Sequence, residues 1–547
     1  MQGANIYDEL KQRLRGRGGE SATGIAETEQ AFPEPVAPLN ERLIQMIWQE
    51  QLLDGARLKT ESGKCVRVID PGTWTGERGP DFHHAELEID NVRLRGDVEI
   101  HLDAADWTHH QHQRDFEYNT VILHVALFCT DGLPQDELQN GKRLERLLIE
   151  EAISPDLDTV RRTFAAEDTT LGEPGAALLG QAPCQQALQA ADQNLVREFL
   201  ELAGRQRVES KVARFTAQLR MESFDQVFYQ AIMTAMGYKG GKTLFFLLAK
   251  RVPVEELKVF LRNVPLERMA NELECVLLNV ANLLPAPIAV EDSTEDFLTN
   301  AIDSASIAGD LASSDCSDQP DRKIYLQSLH QSWQTHNRLY ADRILPRSRR
   351  WFTSVRPVNF PMRRLAGIAQ LLTQFDFRRG LVDQFVSRIS ESMDRQPKTS
   401  RDFRREIKSL AGLFEASSDS YWAHHYSFNG SRTDSPMQLI GADRALSVLY
   451  NALLPLALIS ARNGNRPELE QYLWRLHDNF PALAENTVIK FMRRRLFGSS
   501  GCMDGVTFRL EKHSQALFQI FHECCSDQSL SCDDCVFGAR KMVRAEV

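Results

Sequence analysis

Residues 84–102 read HAELEIDNVRLRGDVEIHL, an apolar/polar alternation that runs up to Asp90-Asn91 and resumes beyond it. A period of two is the spacing of a strand, because successive side chains leave opposite faces. Two such runs separated by a two-residue Asp-Asn break read as a hairpin. The flanking segments extend the pattern. CVRVID at 65–70 alternates and Pro71-Gly72 closes it. TVILHVALF at 120–128 is a nearly continuous apolar run, suited to a strand buried on both faces. Upstream, NERLIQMIWQEQLL has apolar residues near helical spacing behind a possible N-cap, Asn40, and Asp54-Gly55 ends it. The order is therefore helix 41–54, strand, hairpin, a variable segment and an apolar strand.

From about residue 185 the period changes to 3.6, as in NLVREFLELAGRQRVESKVARFTAQL. The 547 residues exceed what one hydrophobic core sustains. The reading is an α/β N-terminal domain with a mixed sheet over 39–165, followed by a mostly α-helical region. Its parts are a polar, disordered tail 1–38, helical domains at 185–290 and 323–500, an acidic linker or loop at 291–322, and a Cys-containing segment 501–547. The most apolar stretch, Ala445–Ala461, is short for a membrane span and holds Asn451 and Pro455, so it reads as a buried helix. With a formal charge of −11, no apolar leader in the first 38 residues and ten thinly spread cysteines, the expectation is a cytoplasmic protein with no membrane partner.

Seven of the fourteen histidines lie between His83 and His124. Metal sites concentrate His, Asp and Glu in this way. On the strand GDVEIHLD, Asp97, Glu99, His101 and Asp103 share one face, and neighbours two apart are roughly 6.6–7 Å from each other. Glu99 and His101 can thus converge on one ion or water, and the hairpin carries Asp81 toward Glu99. The plainer readings are solvated strand residues for Asp97 and Asp103, an exposed polar loop for the His109–His112 stretch, and a satisfied core histidine for His124.

This block resembles the PD-(D/E)xK nuclease core. Pro80-Asp81 stands for the PD, Glu99-Ile100-His101 for E-x-K, and the order of elements agrees. The resemblance implies a restriction-endonuclease-like fold, Mg²⁺ or Mn²⁺ held by Asp81 and Glu99, and an additional acid on the first helix, here Glu50. The departure is His101. Lysine is a fixed cation, whereas an imidazole serves as base or ligand.

GPDFHHA, GDVEIH, DWTHHQH and YNTVILHV also resemble the signature of a bacterial family of uncharacterised proteins, as do RPVNFPMRRLAGIAQLL at 356–372 and the C-terminal cysteines. That resemblance covers most of 40–540 and implies a shared fold and site pattern, not a substrate.

Cys525, Cys532 and Cys535 have C-x6-C-x2-C spacing, which suits Zn²⁺ or an iron–sulfur cluster. His522, Cys524 and Cys502 are candidates for a fourth ligand, and a cap of free thiols is the alternative. The segment from Arg338 to Arg364 holds eight arginines interleaved with Trp351, Phe352 and Phe360. It reads as a DNA- or RNA-contacting surface or as an ordinary charged face.

The leading functional expectation is metal-dependent nuclease chemistry, or a degenerate relative of it. Asp81 and Glu99 would hold the ion and His101 would orient or deprotonate water. The alternatives are a non-catalytic nucleic-acid- or protein-binding module, and a His-rich metal hydrolase with another substrate. The last requires His109, His112 or His124 to approach Glu99.

Overall fold

The computed structural model describes residues 41–74, 79–129, 134–153, 183–237, 241–285, 320–345, 349–352, 355–498 and 508–525. The tail 1–38, residues 291–319, and Cys532 and Cys535 lie outside the described residues.

Helix α1 (Glu41–Glu50) precedes strands β1 (Val66–Asp70), β2 (Thr73–Trp74), β3 (Phe82–Ile89), β4 (Val92–Asp103), β5 (Val121–Phe128) and β6 (Arg146–Leu148). They form one mixed sheet in the order β1-β3-β4-β5-β6, with β2 against β3. β1, β3 and β4 run antiparallel, while β4, β5 and β6 run parallel. The hairpin turns at Asp90-Asn91, both at positive φ (49° and 64°), as a tight two-residue connection requires. Alternation along β4 puts Val98 and Ile100 on one buried face and Glu99 and His101 on the other, equally buried. The apolar run of β5 is buried on both faces through Leu127, as the sequence predicts. The parallel step from β4 to β5 needs a crossover. It is made by a one-turn helix, Asp106–His109, and two 3₁₀ turns, His112–Arg114 and Phe116–Thr120.

Two irregularities shape the β3–β4 pair. The register shifts between Phe82 and Ala85, with His84 at φ 60°, so β3 carries one extra residue. Asp97 clamps this bulge, accepting from His84 N at 3.0 Å and from Thr120 Oγ1 at 2.6 Å. Asp97 is therefore a buried structural acid and not a solvated strand residue. Gly96 lies where a Cβ would stand 2.6 Å from the Thr120 carbonyl oxygen, so β5 can approach β4 closely only at glycine.

The chain divides into two compact units, one of 1–207, 485–508 and 513–547, the other of 208–484 and 509–512. In the first, helices Pro183–Ala190, Thr487–Phe497 and Glu511–Cys524 close a core around Phe199, Leu200, Met492 and Leu517. Cys525 follows the last of these and is partly buried.

The second unit is helical. Among the described residues one helix, Ala442–Asn463, is long and apolar enough to cross a membrane, and 72% of its apolar window is buried within the structure. Two arginines of the arginine-rich segment lie in the interior. Arg363 and Arg364 are buried at 0% and 5% exposure. Arg363 donates to the carbonyls of Val358, Trp422, His425 and Gln438. These two arginines hold a turn of chain in place. Asn359 receives Arg364, and the helix Pro361–Gln374 starts just beyond, as the sequence suggests.

Candidate metal centre

The sheet register builds the first half of the centre. Across the three parallel strands Glu99 aligns with His124, and His124 with Arg146. His101, two residues along β4, projects from the same face as Glu99. The hairpin brings the start of β3 against this row. Asp81 N donates to Glu99 Oε2 at 2.9 Å, and Asp81 Oδ2 accepts from Ile100 N at 3.0 Å. Asp81 and Glu99 are thus neighbours, as the hairpin argument expects. Asp81 Oδ1 also accepts from Gln45 of α1 at 2.8 Å. The α1 side chains on this side are Glu41 and Gln45, one turn apart. Glu50 is buried at the other end of the helix, nine residues from Glu41 and so half a turn round from that face.

The crossover supplies the second half. His109 and His110 are exposed, but Gln111 adopts φ 63° and ψ 29°, a left-handed turn that sends His112 inward. Tyr118 stacks on the His112 ring at 3.9 Å, and Trp107 meets it edge-on at 5.4 Å. Trp107 is anchored by its indole N–H on the Glu137 carbonyl, 3.2 Å away. Two imidazoles consequently close on a third. His101 Nε2 lies 3.3 Å from His110 Nδ1 and 3.3 Å from His112 Nε2, and one ligand atom from each ring falls within 4.8 Å of the others. Glu99 Oε1 stands 3.4 Å from His112 Nε2 and 3.6 Å from His101 Nε2. His109 pairs with Asp106 at 3.3 Å, outside this group.

Behind His101 runs a second line of contacts. His101 Nδ1 is 2.9 Å from His124 Nε2, and His124 Nδ1 is 2.6 Å from Asp136 Oδ2. Arg146 grips both oxygens of Asp136, from Nε at 2.8 Å and from its terminal nitrogen at 2.6 Å. His124 is therefore a satisfied buried histidine, but its partners include a candidate ligand.

Burial drives acids and imidazoles alike toward neutrality. It pushes Asp81 up to about 7, with the Glu41 charge adding to the rise. It raises Glu99 well above the usual carboxylate range, with Asp81 adding to it. Burial and then the neighbouring imidazoles His124, His112 and His110 bring His101 down to about 2, and His112 falls to about 4 through burial and the imidazoles His110 and His124. Burial thus disfavours a charged imidazole at His101, where the nuclease resemblance has a lysine. A divalent ion among these groups would favour carboxylate and neutral imidazole together. The donors fit one in chemistry as well as in spacing, since three ring nitrogens and a carboxylate oxygen are the usual ligands of such ions.

Asp81, Glu99 and His101, paired in the sequence by the hairpin, are brought together. His110 and His112 complete the group from a stretch that reads as a polar loop. Asp136 and Arg146 carry no sequence signal.

The model of a family described as a protein of unknown function, DUF2851, matches residues 41–486. The chain belongs to the DUF2851 family. The match begins at the first residue of α1 and spans every member of the centre just described. No curated protein and no solved structure matches this DUF2851 chain.

Proposed function

We propose that the N-terminal domain is a metal-dependent hydrolase of phosphodiesters, with His101, His110 and His112 as ion ligands and Glu99 beside them as ligand or base. The observation that carries this reading is the meeting of three imidazole nitrogens within 4.8 Å of one another, with Glu99 Oε1 3.4 Å from His112 Nε2 and 3.6 Å from His101 Nε2. Imidazole nitrogens and a carboxylate oxygen that converge in this way offer lone pairs that one cation can share. A bound divalent ion would polarise a phosphoryl oxygen and lower the pKa of nearby water.

The chain's own residues supply the rest. Glu99 offers Oε1 toward the imidazoles while Asp81 N holds Oε2, so Oε1 is fixed in direction and can take a proton from water. Asp81 positions Glu99 and closes the hairpin end through Ile100 N. His110, the exposed imidazole, borders solvent where a substrate enters.

Support for a phosphodiester substrate comes from topology: a helix, a strand, a hairpin with Asp at its start and Glu on its second strand, then a parallel strand after a crossover. That is the order the nuclease resemblance implies. The approach of His112 to Glu99 at 3.4 Å equally favours a His-rich hydrolase acting on another class of substrate.

The test is cleavage of bis-p-nitrophenyl phosphate, DNA and RNA with Zn²⁺, Mn²⁺ or Mg²⁺ supplied singly. Cleavage that EDTA stops and that Glu99→Gln lowers by roughly 10²–10⁴-fold is expected. No cleavage of any of the three with any ion overturns the phosphodiester assignment, and turnover of a carboxyl ester or amide instead selects the second substrate class.

A further inference from the structure

We infer that Arg146, Asp136 and His124 are positioning residues that hold the proton of His101 on Nδ1, so that its Nε2 lone pair faces the centre and commits the site to a borderline transition-metal ion. The inference rests on the metal reading above and specifies which ions that site takes.

The direction of each hydrogen bond follows from its chemistry. Arg146 can only donate, and it donates to both oxygens of Asp136, which is therefore a carboxylate. A carboxylate can only accept, so His124 Nδ1 carries the proton shared with Asp136 Oδ2 at 2.6 Å. A neutral imidazole protonated at Nδ1 presents a lone pair at Nε2. His101 Nδ1, 2.9 Å away, must then be the donor. His101 Nε2 is left as a lone pair, and that atom lies 3.3 Å from both His110 Nδ1 and His112 Nε2.

The competing arrangement has His124 as an imidazolium. It would donate from Nε2 and force a proton onto His101 Nε2, pointing into the centre. His124 is 0% exposed, and Asp136 already has a cationic partner in Arg146. An imidazolium there would have no contact with water and would share its acid, Asp136, with the Arg146 guanidinium, which is costly.

The geometry of the sheet makes this row rigid. Glu99, His124 and Arg146 occupy aligned positions on β4, β5 and β6, and Arg146 also donates to Glu61 and to the Pro134 carbonyl. Ligand histidines whose second nitrogen donates toward a carboxylate are more basic and fixed in rotation. Imidazole-rich donors of this kind suit Zn²⁺, Fe²⁺ or Ni²⁺, whereas Mg²⁺ and Mn²⁺ favour oxygen and Mg²⁺ retains its water.

The test uses the full chain, labelled with ¹⁵N at histidine and freed of metal with EDTA. Long-range ¹H–¹⁵N correlation at pH 7.5 should show both His101 and His124 protonated at Nδ1 alone. A proton on His101 Nε2 overturns the inference while leaving the metal reading standing. Competition against a chelating dye should then show Zn²⁺ bound far more tightly than Mg²⁺. His124→Gln and Asp136→Asn should weaken Zn²⁺ binding by roughly 10–100-fold. Unchanged affinity in both variants, with the fold intact, also overturns it. Failure of the wild-type chain to bind Zn²⁺ or Mn²⁺ at all defeats the metal reading and the ion choice together, whatever the protonation of His101. The labelled wild-type measurement decides the proton position even if a variant does not fold.

Discussion

His112 Nε2 stands 3.4 Å from Glu99 Oε1. One residue lies on a sheet strand and the other on an irregular crossover, and the left-handed Gln111 joins them by turning His112 inward beside an exposed His110. This contact divides the histidines of one short stretch into different roles.

The two roles separate experimentally. His112→Ala should lower Zn²⁺ or Mn²⁺ occupancy by at least tenfold, whereas His109→Ala, on the exposed ring bonded to Asp106, should leave it unchanged. Binding also stabilises the native state, by about 2.7 kcal/mol at a hundredfold excess over Kd. The melting temperature of EDTA-treated protein should therefore rise on adding either ion. Metal analysis and thermal unfolding check this, and equal occupancy in the two variants would refute it.

His101→Lys distinguishes ligand from cation. A lysine has three donors and no lone pair while charged, and the native imidazole is held neutral by burial and its neighbours. The substitution should abolish ion binding and any activity that depends on it. Retained or increased activity would mean that position 101 serves as the fixed cation that the nuclease resemblance implies.

In the helical unit, Glu274 is fully enclosed and accepts from Tyr325 at 2.6 Å, while Tyr325 in turn accepts from Trp422 Nε1 at 2.7 Å. Burial is the larger influence and raises its pKa to about 7, against the Tyr325 bond that lowers it. Its folded pKa is above the unfolded one, so the native state binds the extra proton between the two. Stability should therefore fall as pH rises from about 4.5 to 7, by on the order of 3 kcal/mol, and level off above. Glu274→Gln should flatten that slope. Urea unfolding of both proteins across pH 4.5–8 measures it, and parallel curves would exclude Glu274 as the cause.

Arg363 works inside the helical unit and not at its surface. Arg363→Ala would remove the donor to four carbonyls and leave those of Trp422 and His425 buried without it, at a cost of about 3–5 kcal/mol. Arg363→Lys should recover little, because an ammonium cannot span that fork. An unchanged melting temperature in the alanine variant would show the contacts to be dispensable.

The strands were legible because the signal was periodic. Alternation about Asp90-Asn91 gives β3, β4 and the pairing of Asp81 with Glu99, and the apolar run at 120–128 gives β5. The β3 bulge was not legible, since it depends on Asp97 reaching His84 N across the hairpin. Nor was the inward turn of His112, because a glutamine at left-handed φ leaves no mark in composition. Asp136 and Arg146 meet His124 only through parallel pairing of β5 and β6, a long-range register that no local pattern encodes. The burial of Arg363 and Arg364 was hidden for a related reason. A charge run reads as solvated until the carbonyls that enclose Arg363 and Arg364 are in view.

Of the three candidate ligand rings, His110 alone is exposed, while His101 and His112 are walled in by the sheet and by Trp107 and Tyr118. Traffic at such a centre would be one-sided. An ion arriving from solvent would meet His110 first and the buried pair afterwards, and would depart in the reverse order. Capture would then be sequential, with release from the two buried rings as the slow step of exchange.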